Sequence, residues 1–193
     1  AMRTSAWWMA VIGMMLALCT VTSVSAATTI YTDPQGHFLF TVPDGYQPRS
    51  VSAPVVAKYQ SPTFEGANVD IAVGTALTGM TLLSQAPTRA EFEASLKTVV
   101  QGPVTFDYLP GGFGAATVAG RPAIQYDYTV TINSVRYRGR QYAILDGTTV
   151  YVFSYAAKVD DFEGFLRESR SVLDTFTILR GSASTFIHHL GDG

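Results

Sequence analysis

The chain has 193 residues, 47% of them hydrophobic and 15% charged, with a formal net charge of -2. That balance suits one folded domain with a real core, and it excludes both a highly charged disordered segment and binding to nucleic acid through overall positive charge. The single cysteine, Cys19, excludes an internal disulfide framework and any cysteine-cluster metal site.

Met2-Arg3-Thr4-Ser5 is a short positive start, Ala6 to Leu18 is apolar, and Val24-Ser25-Ala26 ends in small residues. This is the pattern of a secretory signal. Cleavage is expected after Ala26, leaving one domain over residues 27–180 and a loose tail, rich in Gly, Ser, His and Asp, over 181–193. The apolar stretch is short against the ~20 residues that cross a bilayer. The expected product is therefore soluble and exported, to a periplasm, the extracellular space or a thylakoid lumen. A retained anchor is one alternative. Lipidation at Cys19 is another, against which stands the bulky Leu18 before the cysteine.

In chain order, Phe38 to Val42 reads as a strand between the turn clusters Asp33-Pro34-Gln35-Gly36 and Pro43-Asp44-Gly45. Val55 to Gln60 and Asn68 to Ala76 read as paired strands joined through Ser61 to Gly66. The period then changes. Phe92, Leu96, Val99 and Val100 form one stripe of a helix, with Thr88 and Glu91 as a capping box and Gly102-Pro103 as its stop. Ile124, Tyr126, Tyr128, Val130 and Ile132 alternate with polar residues, the period of a sheet. Hairpin turns at Asn133-Ser134 and Asp146-Gly147 make this the first strand of an antiparallel meander through Val135 to Leu145 and Thr149 to Ala156. A second helix is expected after Asp160, capped with Glu163, with Phe162, Phe165, Leu166, Val172 and Leu173 inward. Phe176 to Leu179 reads as a last short strand.

The run from Tyr31 to Tyr46, YTDPQGHFLFTVPDGY, resembles the opening of PsbP and its relatives, where a Gly-aromatic-x-aromatic strand leads into Pro-x-Gly-aromatic. Gly120-Arg121-Pro122-Ala123 before a Tyr-bearing strand, the meander, and the last helix leading into Phe176 fit the same PsbP-like, Mog1-like and DcrB-like superfamily. The resemblance covers about residues 29–180. It implies an α+β fold, a twisted and mainly antiparallel sheet with helices packed on it in an α/β/α arrangement. It also implies a noncatalytic role, since the relatives are mostly luminal photosystem II subunits, a nuclear GTPase-binding factor and bacterial envelope proteins. Export points to the bacterial type.

Arg136, Arg138 and Arg140 alternate and so share one face of their strand. A two-residue turn at Asn133-Ser134 sets Asp127 opposite Arg140 and Thr129 opposite Arg138. The same logic at Asp146-Gly147 sets Arg140 beside Phe153, Tyr142 beside Tyr151 and Arg138 beside Tyr155. The product is an arginine and aromatic face, suited to an acidic protein, an anionic polymer or a glycan. A plainer reading gives the same residues a solvated face, or arginine stems lying over rings beneath a helix, with Asp127 as a cross-strand partner. Replacing the three arginines by Gln is expected to abolish partner capture while hardly moving the melting temperature.

Gly111-Gly112-Phe113-Gly114 lacks the Lys and Ser/Thr of a phosphate loop and reads as a mobile hairpin tip, with Phe113 as a partner contact. His37 has no ligand partner at metal-binding spacing, and His188-His189 lie in the tail. Asp160, Asp161 and Glu163 suit helix capping better than calcium. There is no Gly-x-Ser-x-Gly elbow and no His-Glu-x-x-His, and Glu91 and Glu93 would face different ways on a helix. No catalytic residue, cofactor or metal is therefore expected. The expected function is that of a noncatalytic accessory module docking on a larger envelope assembly. One alternative is a ligand carrier or weak enzyme with a pocket near Tyr126, Tyr128 and Phe165; another is a purely structural envelope protein.

Overall fold

Strands joined by tight turns make up most of the described residues. The computed structural model describes residues 29–75, 90, 93–94 and 102–179. The expected signal segment, the tail and the stripe Phe92, Leu96, Val99 and Val100 lie outside the described residues; Ala90, Glu93 and Ala94 are helical.

The strands are β1 (Thr29–Thr32), β2 (Phe38–Val42), β3 (Gln47–Pro48), β4 (Val55–Gln60), β5 (Asn68–Thr75), β6 (Val104–Val118), β7 (Arg121–Ile132), β8 (Val135–Asp146) and β9 (Thr149–Lys158). Helices α1 (Phe162–Glu168) and α2 (Arg170–Asp174) follow, and then β10 (Thr177–Ile178). Seven strands form one antiparallel sheet in the order β3-β4-β5-β9-β8-β7-β6, and β1-β2-β10 form a small second sheet. The fold is thus α+β and mainly antiparallel, as the resemblance implies.

The turns set the register. Asn133 and Ser134 both have positive φ, as a two-residue hairpin turn of the primed type demands, and Asp127 faces Arg140 and Thr129 faces Arg138 as expected. The next turn differs from expectation. Gly147 takes the positive φ as the first central residue, Thr148 is the second, and Asp146 pairs with Thr149. A glycine in first position selects the other primed turn type, so every β8–β9 partner moves two residues. Arg140 faces Tyr155, Tyr142 faces Phe153 and Arg138 faces Ala157. A shift of two keeps each side chain on its own face.

The large sheet buries both faces. Ile71, Phe153 and Tyr155 pack toward Phe162, Phe165, Val172 and Phe176, where the small sheet adds Phe38 and Phe40. Phe106, Tyr126, Tyr128, Val130 and Val152 form a second cluster on the opposite face. Each fully buried phenylalanine contributes about 1.5–3 kcal/mol relative to exposure.

Three local expectations change. Residues 111–114 are not a hairpin tip; they lie inside β6, where the pairing with β7 jumps from Tyr108 to Phe113. A Cβ at Gly112 would lie 2.8 Å from the Leu109 carbonyl oxygen and 2.9 Å from that of Asp127, so glycine there lets the bulge fold flat against β7. A further long strand, β6 from Val104, also precedes the alternating run that begins at Ile124. Finally, the second helix starts at Phe162 with Asp161, not Asp160, as its N-cap and no side-chain capping bond; Glu163 is then only two residues past the cap, out of capping-box register, and pairs with Arg138. It divides at Ser169, whose Oγ donates to the Phe165 carbonyl at 2.8 Å.

Candidate functional site

Even-numbered β8 residues and odd-numbered β7 and β9 residues share the face that α1 and α2 cover. Asp127 is held there by two arginines. Arg140 donates from Nε to Oδ1 and from Nη2 to Oδ2, both at 2.7 Å, a bidentate pair. Arg138 donates from Nη2 to Asp127 Oδ2 at 3.2 Å and from Nη1 to Glu163 Oε1 at 2.7 Å, which ties the sheet to α1. Its guanidinium also lies 4.6 Å from the centre of the Phe162 ring. Burial pushes the Asp127 carboxyl up, but the hydrogen bonds and charges of Arg140 and Arg138 outweigh it and hold the group below the usual carboxylate range.

Beside this platform a groove of about 400 Å³ opens between the sheet and the two helices. Tyr142 and Tyr155 supply its aromatic wall, Leu166 and Leu173 its apolar helix side. Its rim carries Glu163, Arg167, Arg170 and Asp174. Arg170 pairs with Asp174 at 2.9 Å. Arg167 is exposed and makes no ion pair among the described residues, so it is the rim's uncompensated charge. Among the described residues the Tyr155 hydroxyl has no well-formed hydrogen bond, and burial pushes it well above its ordinary value.

The expected binding residues divide accordingly. Arg140, Tyr142 and Tyr155 line the groove, and Arg138 adjoins it through Glu163. Arg136 shares their face farther along β8, exposed and without an ion pair among the described residues. Tyr151 and Phe153 belong to the core, with ring centres 5.5 and 4.7 Å from that of Phe176. Phe113, 39% exposed, lies on the other face, stacked on Tyr126 at 5.7 Å. The pocket expected near Tyr126, Tyr128 and Phe165 does not form, because all three are fully buried and the tyrosines lie across the sheet from Phe165. The clean arginine test changes too. Arg138 and Arg140 neutralise a carboxylate whose residue is 5% exposed, so removing them destabilises the protein as well.

The helix half of the groove was missed. Glu163, Arg167, Arg170 and Asp174 fall at i, i+4, i+7 and i+11, a helical stripe beside the apolar one. That spacing was its signal.

A second polar row crosses the opposite face. Lys58, Asp70, Ser154, Gln141 and Tyr126 are successive cross-strand partners, each no more than 5% exposed. Tyr126 donates to Gln141 Oε1, and Gln141 Nε2 donates to Ser154 Oγ at 2.7 Å. Lys58 Nζ lies 3.5 Å from Asp70 Oδ1, and among the described residues neither Asp70 oxygen accepts a well-formed hydrogen bond. Burial pushes the Asp70 carboxyl up to about 6, against the pull of Lys58.

Among the described residues no cluster of three metal-ligating side chains occurs, and no helix is long and apolar enough to cross a membrane. No family model and no curated protein matches the sequence. Solved structures do. The cyanobacterial PsbP protein CyanoP of Synechocystis sp. PCC 6803 is 14% identical with a TM-score of 0.58, over 85% of this chain and 99% of that one. LpqN of Mycobacterium tuberculosis, described as involved in cell envelope biogenesis, is 16% identical with a TM-score of 0.52, over 82% and 90%. A Bacteroides thetaiotaomicron protein is 13% identical with a TM-score of 0.55, over 79% of this chain and 49% of that one. The chain therefore has a PsbP-like fold, in agreement with the resemblance carried by Tyr31 to Tyr46.

Proposed function

We propose that this protein is a noncatalytic, exported accessory module of the cell envelope that docks on a larger protein assembly through the groove between β8, β9 and the two helices. The observation that carries the reading is the groove itself. It is open on one side, apolar along Tyr142, Tyr155, Leu166 and Leu173, and edged by the uncompensated Arg167, which suits a protruding partner segment bearing an apolar residue beside an acidic one. The signal-like first 26 residues support export, and the likeness to LpqN supports an envelope role. Affinity capture from native envelope extract tests it. Arg167→Glu and Tyr142→Ala should each weaken retention of the partner by about tenfold or more, roughly 1.4 kcal/mol, with folding intact. Equal capture by both variants and the parent protein removes the groove from the account.

The groove's volume favours a second reading, a small-ligand carrier, since about 400 Å³ falls within the range of roughly 300–1,000 Å³ typical of ligand pockets. Native mass spectrometry of the purified protein distinguishes the two. A bound small molecule that Tyr142→Ala sheds favours the carrier.

A further inference from the structure

Among the described residues the large sheet ends on β6, and the two halves of that edge strand are finished differently. In the first half the Phe106 N–H donates to Glu93 Oε1 at 3.1 Å, so this amide points away from β7. Opposed residues of an antiparallel pair either both bond across their shared boundary or both turn away from it. Val130, the partner of Phe106, therefore directs its backbone groups toward β8. β7 and β8 stay in register without a break from Ala123 to Ile132, so Tyr126 and Ile124 also face β8. Their own β6 partners, Phe113 and Ala115, must then turn N–H and C=O outward, and Thr117 continues the alternation.

These three residues are exposed, and nothing between Leu109 and Gly120 carries a charge. Edge strands are usually blunted by charge, proline or a bulge. Here Pro110 and the bulge precede Phe113, and among the described residues Glu93 covers the stretch at Phe106 alone. The open segment is Phe113-Gly114-Ala115-Ala116-Thr117.

We propose that this edge pairs with the same edge of a second copy of the chain, antiparallel about Ala115. Phe113 of one copy then lies opposite Thr117 of the other and Ala115 opposite Ala115. Each of these pairs has outward backbone groups on both sides and exchanges both N–H···O bonds. A second copy fits for two reasons on the strand itself. The segment is uncharged, so self-pairing opposes no like charges, and its centre is small enough for the ~4.8 Å strand spacing. Phe113 over Thr117 adds an aromatic and β-branched cross-strand pair on each side of the axis. The groove lies at β8 and β9 and stays open, so this pairing is independent of the docking reading.

Sedimentation of the purified protein from about 1 mM down to about 10 µM, the range of weak specific contacts, tests the pairing. Ala115→Pro deletes an outward N–H and leaves the β6–β7 ladder whole; Ala115→Lys sets two charges against each other on the axis. The parent should dimerise reversibly, and both variants should stay monomeric with the parent's melting temperature measured at high dilution. If the proline variant misfolds, the lysine variant decides alone. A parent that is monomeric at the highest concentration, or a lysine variant that dimerises equally well, overturns the proposal.

Discussion

Asp127 and Asp70 stand in the same sheet, each directly opposite a basic residue of the neighbouring strand, yet their acidities move in opposite directions. Asp127 accepts three hydrogen bonds from two guanidinium groups, and its carboxyl is held low. Asp70 has the Lys58 ammonium at 3.5 Å, neither oxygen accepts a well-formed hydrogen bond among the described residues, and its carboxyl rises to about 6. Proximity of a cation is therefore insufficient. A planar fork that satisfies both oxygens offsets desolvation, whereas a point charge at longer range on a fully buried group does not. The difference also separates the faces: the Asp127 platform borders an open groove with charge to spare, and the Asp70 row is sealed.

Breaking the sealed row should cost most. Asp70→Ala leaves the Lys58 ammonium buried without its carboxylate, and urea denaturation should show a loss of about 3–5 kcal/mol. Next comes the packing beside that row. A Cβ at Gly139 would lie 2.1 Å from the Tyr128 Cζ, so Gly139→Ala should cost about 1–3 kcal/mol through overpacking. Asp127→Ala should cost less, about 1–2 kcal/mol, because Arg138 and Arg140 remain 25% and 20% exposed and water can take up their charge. If Asp127→Ala proves the costlier aspartate change, the contrast between the two faces fails.

The pH dependence sharpens the comparison by sign. Folded Asp70 binds a proton between pH 3.8 and about 6 where the unfolded chain has released it, so its contribution to stability falls as pH rises through that window. Asp127 does the reverse: its contribution is present above its unfolded value and is lost as pH falls through its lower folded value. Urea titrations of the parent and Asp70→Asn across the window should show the parent losing stability relative to the variant with rising pH. A flat difference would contradict the Asp70 assignment.

What was legible in the sequence was local. Alternation from Ile124 to Ile132 and the Asn133-Ser134 turn were enough to pair Asp127 with Arg140, because register in a hairpin propagates from its turn. The next turn misled, since Asp146-Gly147 and Gly147-Thr148 are both plausible turn pairs and choose registers two apart. The glycines of 111–114 read as a loop because a bulge within a strand has the same composition as a tip. Asp70 and Lys58 were invisible as a pair: their strands had been matched, but their burial depends on packing that no local period encodes. The groove needed α1 and α2 to meet β8 and β9, a contact between elements whose stripes were readable only one at a time.

Site-specific photo-crosslinking in native envelopes tests the central claim most directly, with the photo-reactive residue at Arg167 on the groove rim or at Val135, which is 40% exposed and on the opposite side of β8 by alternation. The account predicts a discrete protein adduct from position 167 and none from 135. Adducts from 135 alone, or none from 167, would contradict docking through the groove.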